Sequence, residues 1–215
     1  MINAVEALTR LREGNRRFVT GQSSTAALSR SAREALVAGQ EPFAIILGCS
    51  DSRVPAELVF DQSFGDLFVI RVAGNIVAPS QVGSVEFAAS RFGTRLVVVM
   101  GHSQCGAITA TLEELQGRAT SQSRNLRSIV ERVRPSVETL LNGRRDIDPD
   151  ALIRGAVRAN VRASVNHLRH GSELLERLIQ EIGLLVVGAE YSLETGVVDF
   201  FENIPDAAEI RPVSS

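Results

Sequence analysis

Three stretches of the chain are apolar without alternation: "FAIILG" (43–48), "LFVIRV" (67–72) and "RLVVVMG" (95–101). A strand with one wet face alternates, so unbroken runs of this length predict strands buried on both faces, as in a parallel sheet. Between the second and third runs, "SQVGSVEFAASRFG" (80–93) has helical spacing, and 107–115 opens another helix after the third. Strands that alternate with helices imply a mostly parallel central sheet with flanking crossover helices, an α/β fold. Upstream, Val5, Leu8, Leu11 and Phe18 fall on one helical stripe, and 27–38 reads as a second helix ended by Gly39. Downstream, helices are expected over 150–182 with a break at Gly171. Asp148 before Pro149 suits a helix start, and Ser172 caps the second piece. "LLVVGAEY" (184–191) and "GVVDFF" (196–201) close the pattern as a strand pair around a turn at 194–196. The polar segments 117–125 and 142–150 read as connections rather than domain linkers, so 1–215 is expected to be a single domain.

This layout gives the two cysteines a meaning. Cys49 follows the first strand within "GCSDSRVP" (48–55), and "GHSQCG" (101–106) follows the third. Functional groups in open α/β sheets gather beyond the carboxyl ends of parallel strands, where the strand order reverses. Two such ends bring Cys49, His102 and Cys105 to one point, with Gly101 and Gly106 expected to relieve crowding in the tight turn. Two thiolates and an imidazole suit zinc, whose catalytic sites use three protein ligands and leave a fourth position for water or hydroxide. Asp51 and Arg53 add a carboxylate and a guanidinium able to hold it bidentately, so that Asp51 stays ionised and accepts a hydrogen bond from water. Each element has a plainer reading on its own: a buried small cysteine, or a surface ion pair worth about 0–1 kcal/mol. Their joint placement at two strand ends favours a metal.

Composition excludes other classes. With 44% hydrophobic residues and a formal net charge of −2, a pI near 6.0 and mean hydropathy +0.08, the chain has a core to bury and no polycationic footprint for nucleic acid. Glu6, Arg10, Arg12 and Glu13 interrupt the N-terminal segment where a signal peptide needs an apolar core, and no apolar run reaches membrane-spanning length. A cytoplasmic protein without membrane contact is the expectation. Only two cysteines in a reducing compartment argue against a disulfide. His167 and His170 share a helix without a third ligand nearby in sequence, and "RSIVERVRP" (127–135) is interrupted by Glu131, so both read as solvated helix surface.

"CSDSRVPAE" (49–57) and "GHSQCGA" (101–107) resemble the two signatures of the β-class carbonic anhydrases, in the family's order Cys, Asp, Arg, His, Cys. "GNRRF" (14–18), "RVAGNIV" (71–77), "GSVEFAA" (83–89) and "VVGAEYSLETGVV" (186–198) extend the likeness over nearly the whole chain. The resemblance implies reversible hydration of carbon dioxide to bicarbonate and a proton, by attack of zinc-bound hydroxide. It implies zinc on Cys49, His102 and Cys105, and the catalytic pair Asp51 and Arg53; an open site with water as fourth ligand is expected at alkaline pH, with Asp51 as fourth ligand in a closed low-pH state the alternative. It further implies a substrate pocket using Gln40, Phe68, Ala73, Phe87 and Gly106. Ala73 stands where valine is frequent, and Phe87 where plant-like members carry tyrosine. The family builds this pocket across a dimer interface, which implies a homodimer or a multiple of it, with the N-terminal arm of about 1–39 packing on a partner. Some members bind bicarbonate in a second pocket through a tryptophan, an arginine and a tyrosine. Arg71 matches the arginine and Tyr191 the tyrosine, but Ile46 stands at the tryptophan position. Two other functions fit the same residues: hydrolysis of a related linear molecule such as carbonyl sulfide or carbon disulfide, and a non-catalytic zinc-thiolate redox sensor.

Two thiolates donate more negative charge than the imidazoles of an all-histidine zinc site, where bound water has a pKa of about 7. Hydration activity is therefore expected to rise into the alkaline range when followed by stopped flow. Full activity well below neutral pH overturns this reading.

Overall fold

In a computed structural model that describes residues 2–23, 30–119, 123–141 and 148–205, the unbroken apolar runs form the centre of a five-stranded sheet ordered β2-β1-β3-β4-β5. The strands are β1 (Ala44–Gly48), β2 (Leu67–Arg71), β3 (Leu96–His102), β4 (Leu185–Tyr191) and β5 (Val198–Glu202). All pairings are parallel except β4 with β5, which is antiparallel. Every residue of β1 and β3 is buried, which explains why neither alternates. One core layer contains Ile46, Val98, Met100 and Val187, and the opposite layer contains Ile45, Val97, Val99 and Val186.

The helices are α1 (Ala4–Val19), α2 (Arg30–Ala35), α3 (Ala56–Val59), α4 (Pro79–Arg91), α5 (Gly106–Leu115), α6 (Arg124–Leu141), α7 (Pro149–His170) and α8 (Glu173–Ile182). The expected N-caps form: the Asp148 carboxylate accepts from Ala151 N–H at 3.0 Å, and the Ser172 hydroxyl accepts from Leu175 N–H at 3.2 Å. Of the second helix expected over 27–38, residues 27–29 lie outside the described residues, and the helix ends at Ala35. Residues 127–135 are not simply surface, because Val130, Val133 and Val137 of α6 are buried. Val133 and Val137 pack with Ile108, Leu112, Ala156 and Val157 in a third cluster that also contains both cysteines.

The stripe on α1 is shifted from the expected one. Ala4, Ala7, Leu8, Leu11, Gly14 and Asn15 are buried, whereas Val5 and Phe18 are only partly so. Close approach is the cause: a Cβ on Gly14 would stand 1.8 Å from the Phe60 carbonyl oxygen. Beside it, Asn15 Nδ2 donates to the carbonyls of Val59 (3.1 Å) and Gly196 (2.8 Å), and its Oδ1 accepts from Val198 N–H (2.9 Å). Gly196 has φ +74°, and a Cβ there would meet Phe18 at 3.1 Å. The inner face of α1 therefore packs on its own chain and grips the β4–β5 turn.

Asn15→Ala deletes three bonds in a buried place and strands their backbone partners. It is expected to destabilise the fold by about 2–4 kcal/mol, since each unsatisfied buried group costs about 1–3 kcal/mol before relaxation. Urea denaturation measures this, and a change under ~0.5 kcal/mol, the scale of an ordinary surface substitution, contradicts it.

Candidate metal centre

β1 has β2 on one side and β3 on the other, so the strand order reverses between the carboxyl ends of β1 and β3. Gly48 pairs in register with Met100, which sets the residue after β1, Cys49, against the end of β3. There Cys49 Sγ and Cys105 Sγ lie 4.0 Å apart. One ligand atom from each of Cys49, His102 and Cys105 falls within 4.8 Å of the others, and all three residues are buried. Both cysteines are free thiols.

Local backbone aims each ligand. His102 ends β3, fully buried, and its Nδ1–H donates to the Ser103 carbonyl oxygen at 2.8 Å. A carbonyl can only accept, so the proton sits on Nδ1 and the Nε2 lone pair faces the cysteines. Nε2 has no hydrogen-bond partner in the structure. A buried imidazole nitrogen left bare beside two thiols fits a metal ligand better than a core histidine. Cys105 is the N-cap of α5, where free backbone N–H groups favour negative charge. Gly74, with φ +69°, approaches closely enough for its N–H to donate to Cys49 Sγ at 3.4 Å.

The charges are mutually dependent. Hydrogen bonding from the Cys105 thiol, opposed by burial and helped by His102, lowers Cys49 to about 4. The same bond, reinforced by burial, pushes Cys105 well up. These opposite shifts are one effect: two adjacent thiols without a cation share a proton. Burial pulls His102 down, but the Cys49 thiolate more than offsets it, and the net direction is up. A divalent cation would reverse the penalty on the second thiolate, and the donor set of two thiolates and one imidazole suits zinc.

Beside the triad, both Asp51 oxygens are engaged by Arg53, Nε to Oδ1 at 2.9 Å and Nη2 to Oδ2 at 2.7 Å, while Arg53 N–H also donates to Oδ1 at 3.0 Å. This bidentate contact holds the Asp51 carboxyl far below the ordinary carboxylate range. Asp51 Oδ2 stands 3.8 Å from His102 Nε2. Arg71 was not legible as part of this loop, yet its Nε donates to the Cys49 carbonyl (3.1 Å) and its Nη2 to that of Asp51. Ile46 is sealed in the core.

Ala73 opens the turn that carries Gly74, and Gly106 begins α5 beside Cys105. The expectation that Gly106 relieves crowding fails, because a Cβ there meets nothing within 4 Å. Gly101 is the crowded position, where a Cβ would lie 2.7 Å from Val161. Gln40, Phe68 and Phe87 lie elsewhere: Gln40 is exposed just before β1, and Phe68 lies opposite Ile45 near the amino end of β2. The Phe68 ring is 6.2 Å from that of Phe87, which is 53% exposed on α4, and 6.0 Å from that of Phe92. His167 and His170 are exposed and belong to no metal-capable cluster among the described residues. A groove of about 700 Å³ between α4 and α7, lined by Pro79, Glu86, Arg132 and His167 among others, contains none of the triad. Among the described residues no helix is long and apolar enough to cross a membrane.

Fold and site together define an α/β protein with a metal-capable Cys-His-Cys group at the switch point of its sheet. Residues 44–198 match the family model described as carbonic anhydrase. Carbonic anhydrase 2 of Mycobacterium tuberculosis is 38% identical over 207 residues, 96% of this chain and 97% of that protein. The solved structure of the β-carbonic anhydrase CcaA superposes with a TM-score of 0.71 at 27% identity, covering 94% and 93% of the two chains. One of two tetrameric β-carbonic anhydrases from Sordaria macrospora gives 0.69 at 25% identity over 79% of this chain and 85% of that one. The chain belongs to the β-class carbonic anhydrases.

Elemental analysis of the purified protein is expected to find one zinc per chain, lost in Cys49→Ala and in Cys105→Ala while circular dichroism keeps the α/β signature. Full metal content in either variant refutes the assigned triad.

Proposed function

We propose that the chain hydrates carbon dioxide reversibly to bicarbonate and a proton, with zinc held by Cys49, His102 and Cys105. The observation that carries this reading is the bare, buried His102 Nε2 facing two free thiols beside a carboxylate whose oxygens are already fixed by Arg53. Zinc, when bound, acts as a Lewis acid that makes water a competent nucleophile at moderate pH. Asp51 supplies what the metal does not. Kept ionised by Arg53, it is purely an acceptor: it accepts a hydrogen bond from the reacting water without taking up its proton, and so turns an oxygen lone pair toward the substrate carbon. Arg71 holds the Asp51 backbone so that this acceptor does not wander. Backbone N–H groups at the start of α5, where Gly106 stands, favour the negative charge that develops as bicarbonate forms.

Carbon dioxide has neither net charge nor dipole, so its pocket needs apolar walls. Phe68 and Phe87 supply such walls but lie away from the triad of their own chain. We assign them, with Gln40, to the site of a second copy, Gln40 donating a hydrogen bond to a substrate oxygen and Ala73 lining the pocket from within. The half-exposed aromatic group on β2 and α4 is the surface that supports a dimer, and the tetrameric relatives support a dimer-based assembly. Thiols that must stay reduced to bind metal suit the cytoplasm.

Stopped-flow hydration on zinc-quantified protein tests the reading directly. Asp51→Ala is expected to retain zinc and lose activity by about 100-fold, the scale of losing the orientation of a reacting group. Zinc-loaded wild-type protein with no hydration activity at any pH overturns the proposal and directs attention to carbonyl sulfide, carbon disulfide or redox sensing.

A further inference from the structure

The two residues between His102 and Cys105 are held from outside the site by one side chain. Ser103 Oγ donates to Glu194 Oε2 at 2.8 Å, and Gln104 Nε2 donates to Glu194 Oε1 at 2.7 Å. Glu194 belongs to the β4–β5 turn, 91 positions from Ser103 and 90 from Gln104. Ser192 Oγ also donates to its Oε2, at 3.1 Å, and the turn returns a bond of its own, Leu193 N–H to Ser103 Oγ at 2.9 Å. The Ser103 hydroxyl, the residue's own N–H and the Ser192 hydroxyl keep the Glu194 carboxyl below its ordinary range, so it is an ionised acceptor at neutral pH.

Two features give these bonds a consequence at the metal. Gln104 has φ +55°, a left-handed backbone that a residue with a side chain adopts at a cost of about 1 kcal/mol or more. The hydrogen bond that its side-chain amide donates to Glu194 holds it there. Ser103 is the residue whose carbonyl accepts His102 Nδ1–H and so fixes which imidazole nitrogen is bare. Its backbone is pinned by Ser103 N–H to the Tyr191 carbonyl at 2.9 Å, and its side chain by Glu194. A contact chain therefore runs from the Glu194 carboxylate through Ser103 to the tautomer and aim of His102, and through Gln104 to the approach of Cys105.

We propose that Glu194 is a positioning residue for the metal centre, which holds the His102–Cys105 loop in its metal-binding geometry before the ion arrives. The proposal rests on the reading that Cys49, His102 and Cys105 hold zinc. Glu194 touches neither ion nor substrate, and its contribution is retention and geometry of the metal rather than chemistry.

Zinc release from the intact holoprotein into an excess of a chromogenic chelator reads this out without recourse to activity. Glu194→Ala is expected to release zinc about 10–100-fold faster, the usual effect of removing a group that orients a ligand. Glu194→Gln, whose amide oxygen still accepts one of the bonds, should fall between. Ser103→Ala breaks the same link from the other side. It is expected to act in the same direction, with the double variant slower than the product of the single effects, because both act through one contact. In cobalt-substituted protein, the ligand-field bands should shift in Glu194→Ala and stay in place in Thr195→Ala, a change in the same turn. Wild-type release rates and an unshifted cobalt spectrum in Glu194→Ala overturn the proposal. So do equal losses in Glu194→Ala and Thr195→Ala with equally lowered melting of the metal-free forms, which would make Glu194 a residue that only stabilises the turn. Wild-type protein that takes up no zinc overturns the reading of the site as well, whereas tight zinc in both wild type and Glu194→Ala overturns this inference alone.

Discussion

The site exists because β1 and β3 lie side by side in parallel. That pairing is the constraint from which the other features follow, since it puts two strand ends, 56 positions apart at the two cysteines, within one sulfur-to-sulfur contact. Parallel strands buried on both faces have no wet side to fix their register, so small residues do part of that work. A Cβ on Gly101 of β3 would lie 2.7 Å from Val161, and one on Gly188 of β4 would lie 2.8 Å from the same side chain. Val161 on α7 thus seats against both strands, and a slip of either would drive a larger residue into it. Packing on the outside of the sheet thereby fixes which residues emerge at its carboxyl end.

What emerges there is expensive to bury. A thiol pair that shares one proton, an imidazole with a bare nitrogen and a nearby carboxylate would each be poorly served by an apolar core. The surroundings answer each in turn. Arg53 neutralises Asp51, Gly74 N–H and the start of α5 face the sulfurs, and Arg71 secures the loop that carries Cys49 and Asp51. Within the Cys49, His102, Cys105 and Asp51 group, His102 Nε2 is left without a protein hydrogen-bond partner, and it is the position a cation would complete. The same arrangement separates two tasks that compete for a carboxylate: Asp51 is held as an acceptor by its arginine, while the charge of a cation bound there would be balanced by the thiolates.

Much of this was legible in the sequence, and the limits have physical causes. Unbroken apolar runs identify β1, β2 and β3 because total burial removes alternation, and caps at Asp148 and Ser172 are chemical signals confined to four residues. The Cys49, His102 and Cys105 cluster could be read because its members lie at or within three residues of the ends of β1 and β3. α1 was misread along its stripe because its contact is made by Ala4, Ala7, Gly14 and Asn15, small or polar residues with little hydropathy signal. Gly106 and Gly101 look alike as flanking glycines, and only the approach of α7 tells them apart. Arg71 and Glu194 were missed as supports because their partners are 20 or more residues away, and no local pattern records a contact of that range. The motif GSVEFAA contains Phe87, but which copy of the chain its ring serves is a property of an assembly.

The distant contacts form a sequence of their own. Asn15 on α1 binds the carbonyl of Gly196 and the N–H of Val198, which fixes both sides of the β4–β5 turn. Phe18 covers Gly196 from the same helix, where a side chain would not fit. Glu194 in that turn holds Ser103 and Gln104, and Ser103 holds the imidazole. Each link is an ordinary hydrogen bond of modest net worth, and several are partly exposed. Their strength lies in connection: a left-handed Gln104 and a single histidine tautomer persist only when every neighbour along the chain of contacts agrees. An N-terminal helix that looks remote from the chemistry therefore supports the far side of the metal loop, and the antiparallel β5, which adds nothing to the switch point itself, is there to carry the turn.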